Sequence, residues 1–329
     1  MARVVTRASA AAGLRGIART LALALALALA GAACSKSPGA SGGGIDRERA
    51  AALFTEVPVD TAPGLSGLAT DASGRLWTIA ERAYRAYRIT LDASLRPAIE
   101  TFPIEGIPAG LDLEGIAVLD GSRFALGTEG HDDGAATILV AELRGTVLAV
   151  TQSIDLPESS VGIHLQKNFG AEGVCGAGDM IVVAIEGAGV DAGRRWAPVL
   201  QIKNGVITRR HRVWLTTQTG KLSGLDCTIA ADGTVSSWAI ERHFEVTRLL
   251  RFTLPPAGAG AGSAGSGAAG SDDVTPTVSL DLAAVLHGKL NLEGIAQLPD
   301  GRIVAIIDNQ WKTITGPSEL LVFRPGAVP

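Results

Sequence analysis

The feature of this sequence that most constrains its fold is a unit that occurs five times. Each copy begins with a glycine-containing strand, turns through a short segment rich in Asp and Gly, continues into a second strand and ends on an acidic residue. The copies run from Leu65 to Glu81, Leu113 to Glu129, Ala171 to Glu186, Leu222 to Glu241, and Leu292 to Asp308. Repetition of this kind is typical of propellers and other repeat arrays, so it sets the fold before any other feature.

The turn inside each copy predicts an antiparallel hairpin. Asp71–Gly74, Asp120–Gly121 and Asp232–Gly233 supply the backbone angles that a tight reversal needs, and the other two copies carry equivalent turns. Because a hairpin returns to where it began, the residue that opens the first strand and the acid that closes the second lie at the same end. Five hairpins therefore place their acids on one face.

The segments between the copies complete four-stranded units. Two more strand-like runs follow each of the first four copies, whereas only Glu319–Phe323 follows the fifth. Four strands per repeat are typical of a β-propeller blade, and the unassigned strand Ala52–Val59 can complete the last one. We predict an all-β propeller of five four-stranded blades closed by an N-terminal strand, with six blades as the alternative.

The amino terminus predicts export. Residues 1–33 combine a basic region, a short Leu/Ala core and small residues, and they resemble a lipoprotein-type signal peptide. Cys34 would then become the lipidated first residue, and residues 34–48 would form a flexible tether. The alternative is an ordinary cleaved signal with an incidental Cys34. We expect a periplasmic or cell-surface protein held to the membrane by this lipid only, and Ser35 after the cysteine favours the outer membrane.

Residues 49–329 are predicted to form one propeller domain, with a disordered Gly/Ala/Ser loop at 255–271. A net charge of −4 gives no case for nucleic-acid binding, which normally needs a basic face, and we expect a monomer. Cys175 and Cys227 fall in the first strands of neighbouring copies, but in the aligned copies Cys175 matches Asp226, one residue before Cys227. Their side chains should then point to opposite sides of the strands, which predicts two buried thiols rather than a disulfide.

Eight acids are predicted to meet at one end of the ring. So many carboxylates repel one another unless a cation binds or some stay protonated. Oxygen ligands in this number suit Ca²⁺, whereas Mg²⁺ demands octahedral geometry. Some of these acids can instead bond to amides of the next blade and lock the ring. They are Glu114, Glu172 and Glu293, which open first strands, and Glu81, Glu129, Glu186, Glu241 and Asp308, which close second strands.

Basic residues recur at the same predicted face and could bind an anionic ester. They are Arg82, Arg242, Lys167, Lys221, Lys289 and Lys312. His131 and His243 lie just beyond closing acids and are the candidates for proton transfer, with a surface position as the alternative for each. The chain has no Gly-x-Ser-x-Gly motif, so a serine nucleophile is less supported.

The ordered set of strand-opening motifs resembles the bacterial phytase-like family described as having esterase-like activity of phytase. The motifs are Gly64–Leu68, Asp112–Ala117, Phe169–Val174, Leu222–Leu225 and Asn291–Ala296, and the resemblance covers roughly Leu53–Phe323. It implies a secreted or lipid-anchored propeller that hydrolyses phosphate or carboxylic esters. The chain departs from the family pattern at Gly224, where an acid often stands, and this removes one candidate ligand.

Three functions follow as hypotheses. The first is a metal-dependent hydrolase of phosphate or other esters. The second is a non-catalytic ligand-binding or scaffold lipoprotein with a structural metal, and the third is a lactonase-like propeller. Fold alone cannot separate them.

Overall fold

The computed structural model describes residues 47–130, 136–167, 169–243, 245–256, 271–286, 291–308 and 317–329. The chain divides into two compact units, Met1–Ser41 and Gly42–Pro329, and every described residue lies in the second. In these ranges no helix has the length and apolar character needed to cross a membrane.

The first described element is a short helix, α1 (Arg47–Leu53), that leads directly into strand β1 (Phe54–Val59). The following strands form successive four-stranded antiparallel blades. Blade 1 contains β2 (Leu65–Thr70), β3 (Leu76–Ala80), β4 (Arg85–Leu91) and β5 (Pro97–Glu105). Blade 2 contains β6 (Leu111–Val118), β7 (Arg123–Gly130), β8 (Ala136–Arg144) and β9 (Val147–Asp155).

Helix α2 (Glu158–Val161) precedes the third blade. Blade 3 contains β10 (Ala171–Ala177), β11 (Met180–Ile185), β13 (Arg194–Lys203) and β14 (Val206–Trp214), with a short strand β12 (Gly189–Asp191) paired to β13. Blade 4 contains β15 (Lys221–Ile229), β16 (Val235–His243), β17 (Val246–Leu254) and β19 (Thr277–Asp281). Strand β18 (Ser271–Val274) lies between β17 and β19 in sequence but pairs in parallel with β14 of blade 3. The predicted loop at 255–271 therefore ends in a strand, and its residues 257–270 lie outside the described ranges.

The last blade uses both ends of the domain. Blade 5 contains β20 (Asn291–Gln297), β21 (Ile303–Asp308), β22 (Ser318–Phe323) and β1. Strand β1 is antiparallel to β22, with Phe54 opposite Phe323 and Val59 opposite Ser318. The innermost strands contact one another in a closed cycle, β2 to β6 to β10 to β15 to β20 and back to β2. The prediction of five four-stranded blades closed by an N-terminal strand is confirmed.

The hydrophobic core consists of five clusters, one between each pair of neighbouring blades. Burial on both faces explains why a strand such as β21 is apolar from Ile303 to its closing residue, Asp308. Between blades 1 and 2, for example, the rings of Trp77 and Phe124 lie 4.7 Å apart. Each fully buried large apolar side chain contributes about 1.5–3 kcal/mol, so the stacking of blades supplies the main stabilisation of the ring.

The structure corrects the prediction of two free thiols, because Cys175 and Cys227 form a disulfide with Cα atoms 5.7 Å apart. Their side chains do leave opposite sides of their strands. In a propeller, however, successive blades stack face to face, so opposite directions on neighbouring blades bring the two sulfur atoms together. The bond joins the inner strands of blades 3 and 4.

Candidate functional site

A ring of five glycines draws the inner strands together around the propeller axis. A Cβ on Gly115 would lie 2.5 Å from the carbonyl oxygen of Glu172, and one on Gly294 would lie 2.5 Å from the backbone of Gly67. Cβ atoms essentially never come so close, so the inner strands could not approach to this distance with any other residue. The ring consists of Gly67, Gly115, Gly173, Gly224 and Gly294.

The residue before each ring glycine lies at a β-bulge. The pairing of the first two strands shifts register here in all five blades, as between Leu113 and Gly115 of blade 2. A bulge changes the direction of a side chain relative to its neighbours. Three blades place a buried glutamate at this position, and the other two place a buried serine. These residues are Ser66, Glu114, Glu172, Ser223 and Glu293.

The two serines tie neighbouring blades together. The Ser66 hydroxyl donates to the carbonyl oxygen of Glu114 at 2.5 Å, and the Ser223 hydroxyl donates to the carbonyl oxygen of Leu292 at 2.8 Å. Gly224, which stands where the family pattern often has an acid, thus lies in a blade whose bulge residue, Ser223, has a structural role.

Among the closing acids, Glu241 is a structural residue. Its carboxylate accepts hydrogen bonds from the backbone N–H and the hydroxyl groups of Thr216 and Thr217, with N···O distances of 3.0 Å to both amides. Glu241 is fully buried and holds the connection from blade 3 to blade 4. Asp308 accepts a hydrogen bond from the Asn291 side chain at 3.2 Å.

Ion pairs join three of the blade junctions on this face. Arg82 of the segment after β3 binds Asp112 of blade 2 at 3.0 Å. Glu186 after β11 pairs with Lys221 of blade 4, and Arg242 of blade 4 pairs with Glu293 of blade 5. At each of these junctions a residue from one hairpin end meets the opening strand of the next blade with the opposite charge.

The junction between blades 2 and 3 brings carboxylates together instead. Single oxygen atoms of Asp112, Glu114 and Glu129 lie within 4.8 Å of one another, and so do those of Glu129, Glu172 and Glu186. These five residues are called the acid cluster below. Glu129 belongs to both groups, and its Oε2 atom is buried without a hydrogen-bond partner among the residues that the structure describes. Gly170 lies directly against it, where a Cβ would come within 2.2 Å of the Cβ of Glu129.

Burial and mutual repulsion raise the pKa values of these acids. Burial, followed by the charge of Glu293, raises the pKa of Glu172 to about 8, and burial with Asp308 and Glu293 does the same for Glu81. The pKa of Glu114 rises well above its usual value through burial and through Glu172, and that of Glu129 rises through burial and Asp112. Without a cation, the folded protein therefore retains protons here at neutral pH.

Asp112 was not among the predicted ligands. A sequence signal for it exists, because Asp112 and Asn291 occupy the same repeat position, two residues before a bulge glutamate. Both side chains contact acids or bases at the ring face: Asp112 binds Arg82, and Asn291 binds Glu293 and Asp308.

The predicted basic residues separate into two groups. Arg82, Lys221 and Arg242 pair with acids of this face, whereas Lys167 is exposed in the segment before β10. His243 is half-buried, and burial together with the charges of Lys221 and Arg195 lowers its pKa, so its ring is neutral at physiological pH. His131, Lys289, Lys312 and Cys34 lie outside the described residues.

The donor set fits a hard cation. Glu129, whose buried Oε2 has no hydrogen-bond partner among the described residues, and the four carboxylates grouped with it match the all-oxygen coordination that Ca²⁺ takes, and a divalent charge would offset their repulsion. The residues that could hold the ion most directly are Glu114, Glu129 and Glu172, because Asp112 and Glu186 already have basic partners.

Comparison with known proteins adds a family match. The model of the phytase-like family, described as having esterase-like activity of phytase, matches residues 60–317. Among proteins of curated function, none matches this sequence.

Solved structures with a similar backbone have low sequence identity to this chain. The PQQ-bound aldose sugar dehydrogenase of Streptomyces coelicolor is 13% identical over 83% of this chain and 98% of its own, with a TM-score of 0.42. Regucalcin of Agrobacterium tumefaciens, a calcium-binding protein, is 13% identical over 82% of this chain and 95% of its own, with a TM-score of 0.36. Such low similarity carries no argument about chemistry.

Proposed function

Because this chain belongs to the phytase-like family, described as having esterase-like activity of phytase, we propose that it is a hydrolase of phosphate or other esters that depends on a cation, with Ca²⁺ as the ion favoured, held by the acid cluster. The single observation that carries this proposal is the buried oxygen of Glu129, a residue that belongs to both carboxylate groups and whose Oε2 has no hydrogen-bond partner in the described ranges. A buried polar atom without a partner is costly, and a cation would supply that partner.

Glu114, Glu129 and Glu172 would hold the cation, with Asp112 and Glu186 beside them. A bound divalent cation supplies an electrophile that polarises an ester oxygen and makes water more acidic. Arg82 has a side chain that is 65% exposed while it binds Asp112, so its guanidinium can meet a substrate oxyanion from solvent. Lys221 and Arg242, which lie deeper, would orient the anionic group electrostatically.

His243 is suited to accept a proton, because its lowered pKa leaves the ring neutral at physiological pH. It follows Arg242, whose guanidinium donates to Glu293. Both residues lie at the end of β16, on the side of the acid face. His131, Lys167, Lys289 and Lys312 remain proposed contributors from their sequence positions.

The export signal, the lipid at Cys34 and the tether at 34–48 belong to the same proposal. An exported location is supported by the disulfide, because such bonds persist in oxidising compartments. We propose a monomer that is anchored at the outer membrane by lipid and meets small anionic esters outside the cytoplasm, with no nucleic-acid partner.

The test is turnover of p-nitrophenyl phosphate, p-nitrophenyl acetate, phytate and a simple lactone by the purified protein, with chelator and with Ca²⁺. Glu129→Gln and Glu172→Gln are compared with Glu56→Gln, an exposed glutamate of β1. Calcium-dependent ester turnover that both cluster variants lose and the control keeps supports the proposal. Turnover that survives chelation refutes it, and turnover of the lactone alone supports the lactonase alternative.

A second candidate function is a binding or scaffold protein with a structural metal. The observation that favours it is the depth of the bulge glutamates, since Glu114 is 6% exposed and Glu172 is 4% exposed. A cation bound by them could serve only to neutralise the junction of blades 2 and 3. In that case Ca²⁺ raises the melting temperature, but none of the four substrates is turned over.

A further inference from the structure

A large open cavity lies on blade 4, away from the acid face. Its volume is about 840 Å³, which falls in the range of sites for small organic ligands. Its floor is formed by the β15–β19 face toward blade 5, near the end where β15 and β16 turn. Gln297 and Pro329 border it on the other side. This space is called the blade 4 cleft below.

The strand register lays chemically different side chains in one row across the cleft floor. Asp226 is opposite Trp238, Trp238 is opposite Arg251, and Arg251 is opposite Thr277. Because residues that pair across antiparallel strands lie on the same face, the row runs from a carboxylate through an indole to a guanidinium. Neighbouring strands are about 4.8 Å apart, so Asp226 and Arg251 are separated by roughly 10 Å and do not form an ion pair.

Arg251 presents an uncompensated positive charge to the cleft. Its guanidinium lies over the Trp238 ring, 4.8 Å from the centroid, and the side chain is exposed. Within the described ranges, no carboxylate forms an ion pair with Arg251, whereas most of the other arginines in these ranges are paired with an Asp or Glu. A guanidinium stacked on an aromatic ring is held in place and keeps its donor edge available for an anion.

The opposite end of the row accepts hydrogen bonds. Oδ2 of Asp226 accepts a bond from the backbone N–H of Gln297 at 2.7 Å, which fixes the carboxylate across the junction of blades 4 and 5. A second row of hydroxyl side chains runs beside the first, formed by Thr228, Ser236 and Thr253. A ligand that fits these groups needs an anionic group at one end and several hydroxyls along its length.

We propose that the blade 4 cleft binds an acidic saccharide of one or two rings, whose carboxylate pairs with Arg251 and whose hydroxyls bond to Asp226 and the neighbouring Thr and Ser side chains. Neutral sugars lack the group that Arg251 recognises, and simple anions lack the hydroxyls that Asp226 recognises. The site is separate from the acid cluster, so saccharide binding neither requires nor competes with a cation there.

The test is calorimetric titration of the full protein with D-galacturonic acid and its dimer, and with galactose, acetate and phosphate as comparison ligands. Arg251→Gln and Asp226→Asn should each weaken binding of the acidic sugar at least about tenfold, since each removes a charge-assisted contact. The matched control is Arg194→Gln, because Arg194 also stacks on a tryptophan, 4.4 Å from the Trp214 centroid, but in another blade. This variant should bind normally.

Three results would overturn the inference. The first is no heat of binding with either acidic sugar up to about 20 mM. The second is equal binding of galactose, acetate or phosphate, which would exclude the saccharide acid as the recognised group. The third is equal loss in Arg251→Gln and Arg194→Gln, which would assign binding to surface arginines in general. Melting temperatures of the variants within about 2 °C of the parent verify that each one folds.

Discussion

Replacing Glu172 by Gln should make the cation-free protein more stable while removing much of its response to Ca²⁺. Glu172 is buried in the acid cluster, where burial and then Glu293 raise its pKa to about 8 from an ordinary 4.5. An acid whose pKa is raised by folding binds more protons in the folded state, so its contribution to stability falls as the pH rises from 4.5 to 8. Gln fills the same space without the charge.

The size of the effect follows from those two pKa values. At 1.36 kcal/mol per pKa unit, the ionised Glu172 costs the folded state up to roughly 4–5 kcal/mol, and at pH 8 most of that cost is present. Neighbouring acids lose their protons less readily when Glu172 is charged, so a net gain of about 2–4 kcal/mol is expected for Glu172→Gln at pH 8. At pH 4.5 the two proteins should be equally stable.

Urea unfolding in chelator at pH 4.5 and pH 8, repeated with Ca²⁺, measures each quantity. With Ca²⁺ the ranking should reverse, because a cation that binds only the folded state stabilises the parent more than the variant. Glu56→Gln controls for the loss of a surface charge. If Glu172→Gln is less stable than the parent at pH 8 in chelator, Glu172 is satisfied by the protein alone and the argument for a cation fails.

Three further predictions concern the ring. Replacing Cys175 and Cys227 by Ser should lower the free energy of unfolding by up to about 4 kcal/mol relative to the oxidised parent, because the disulfide closes a 52-residue separation; in urea unfolding the reduced parent should match the variant. Gly115→Ala should cost about 1–3 kcal/mol or prevent folding, because its Cβ would lie 2.5 Å from the Glu172 carbonyl oxygen; Gly121→Ala, with no atom within 4 Å, should stay within ~0.5 kcal/mol in the same assay. Burial lowers the pKa of His211 to about 4, so the parent loses stability as the pH falls from 6.5 toward 4. Over that range the free energy of unfolding of His211→Leu should fall by up to about 3 kcal/mol less than that of the parent. Parallel pH profiles of the two proteins would contradict this.

The sequence carried enough information to predict the architecture, because hairpin turns and strand-opening glycines recur at regular intervals. The closure of the last blade by β1 was predictable from one surplus strand at the start and one missing at the end. Strand alternation also gave the directions of Cys175 and Cys227 correctly. The prediction that the two thiols lie too far apart to bond was wrong, because it treated the two strands as neighbours in one sheet. They belong to stacked blades, where side chains on facing sides meet.

The sequence predicts which face of the propeller carries the acids, but not which groups each acid contacts. The sequence places Glu129 and Glu241 in equivalent positions. In the described part of the chain, however, Glu129 has a buried oxygen without a hydrogen-bond partner, whereas the Glu241 carboxylate accepts hydrogen bonds from Thr216 and Thr217. The difference comes from the connection before each next blade, which repeats poorly in sequence. Asp112 was missed because its role depends on a bulge that rotates Glu114 beside it.

The pairing of β1 with β22 also determines when the propeller can close during synthesis. Strand β1 is made before the other strands of the propeller and its partner Ser318–Phe323 after them, so the ring stays open until that partner strand has been made. Closing a loop of this length costs about 5 kcal/mol of chain entropy, which the other four blades must be assembled to offset. Cleavage before Ser318 would therefore leave β1 without its partner, and loss of β1 would likewise leave β22 unpaired on its outer side.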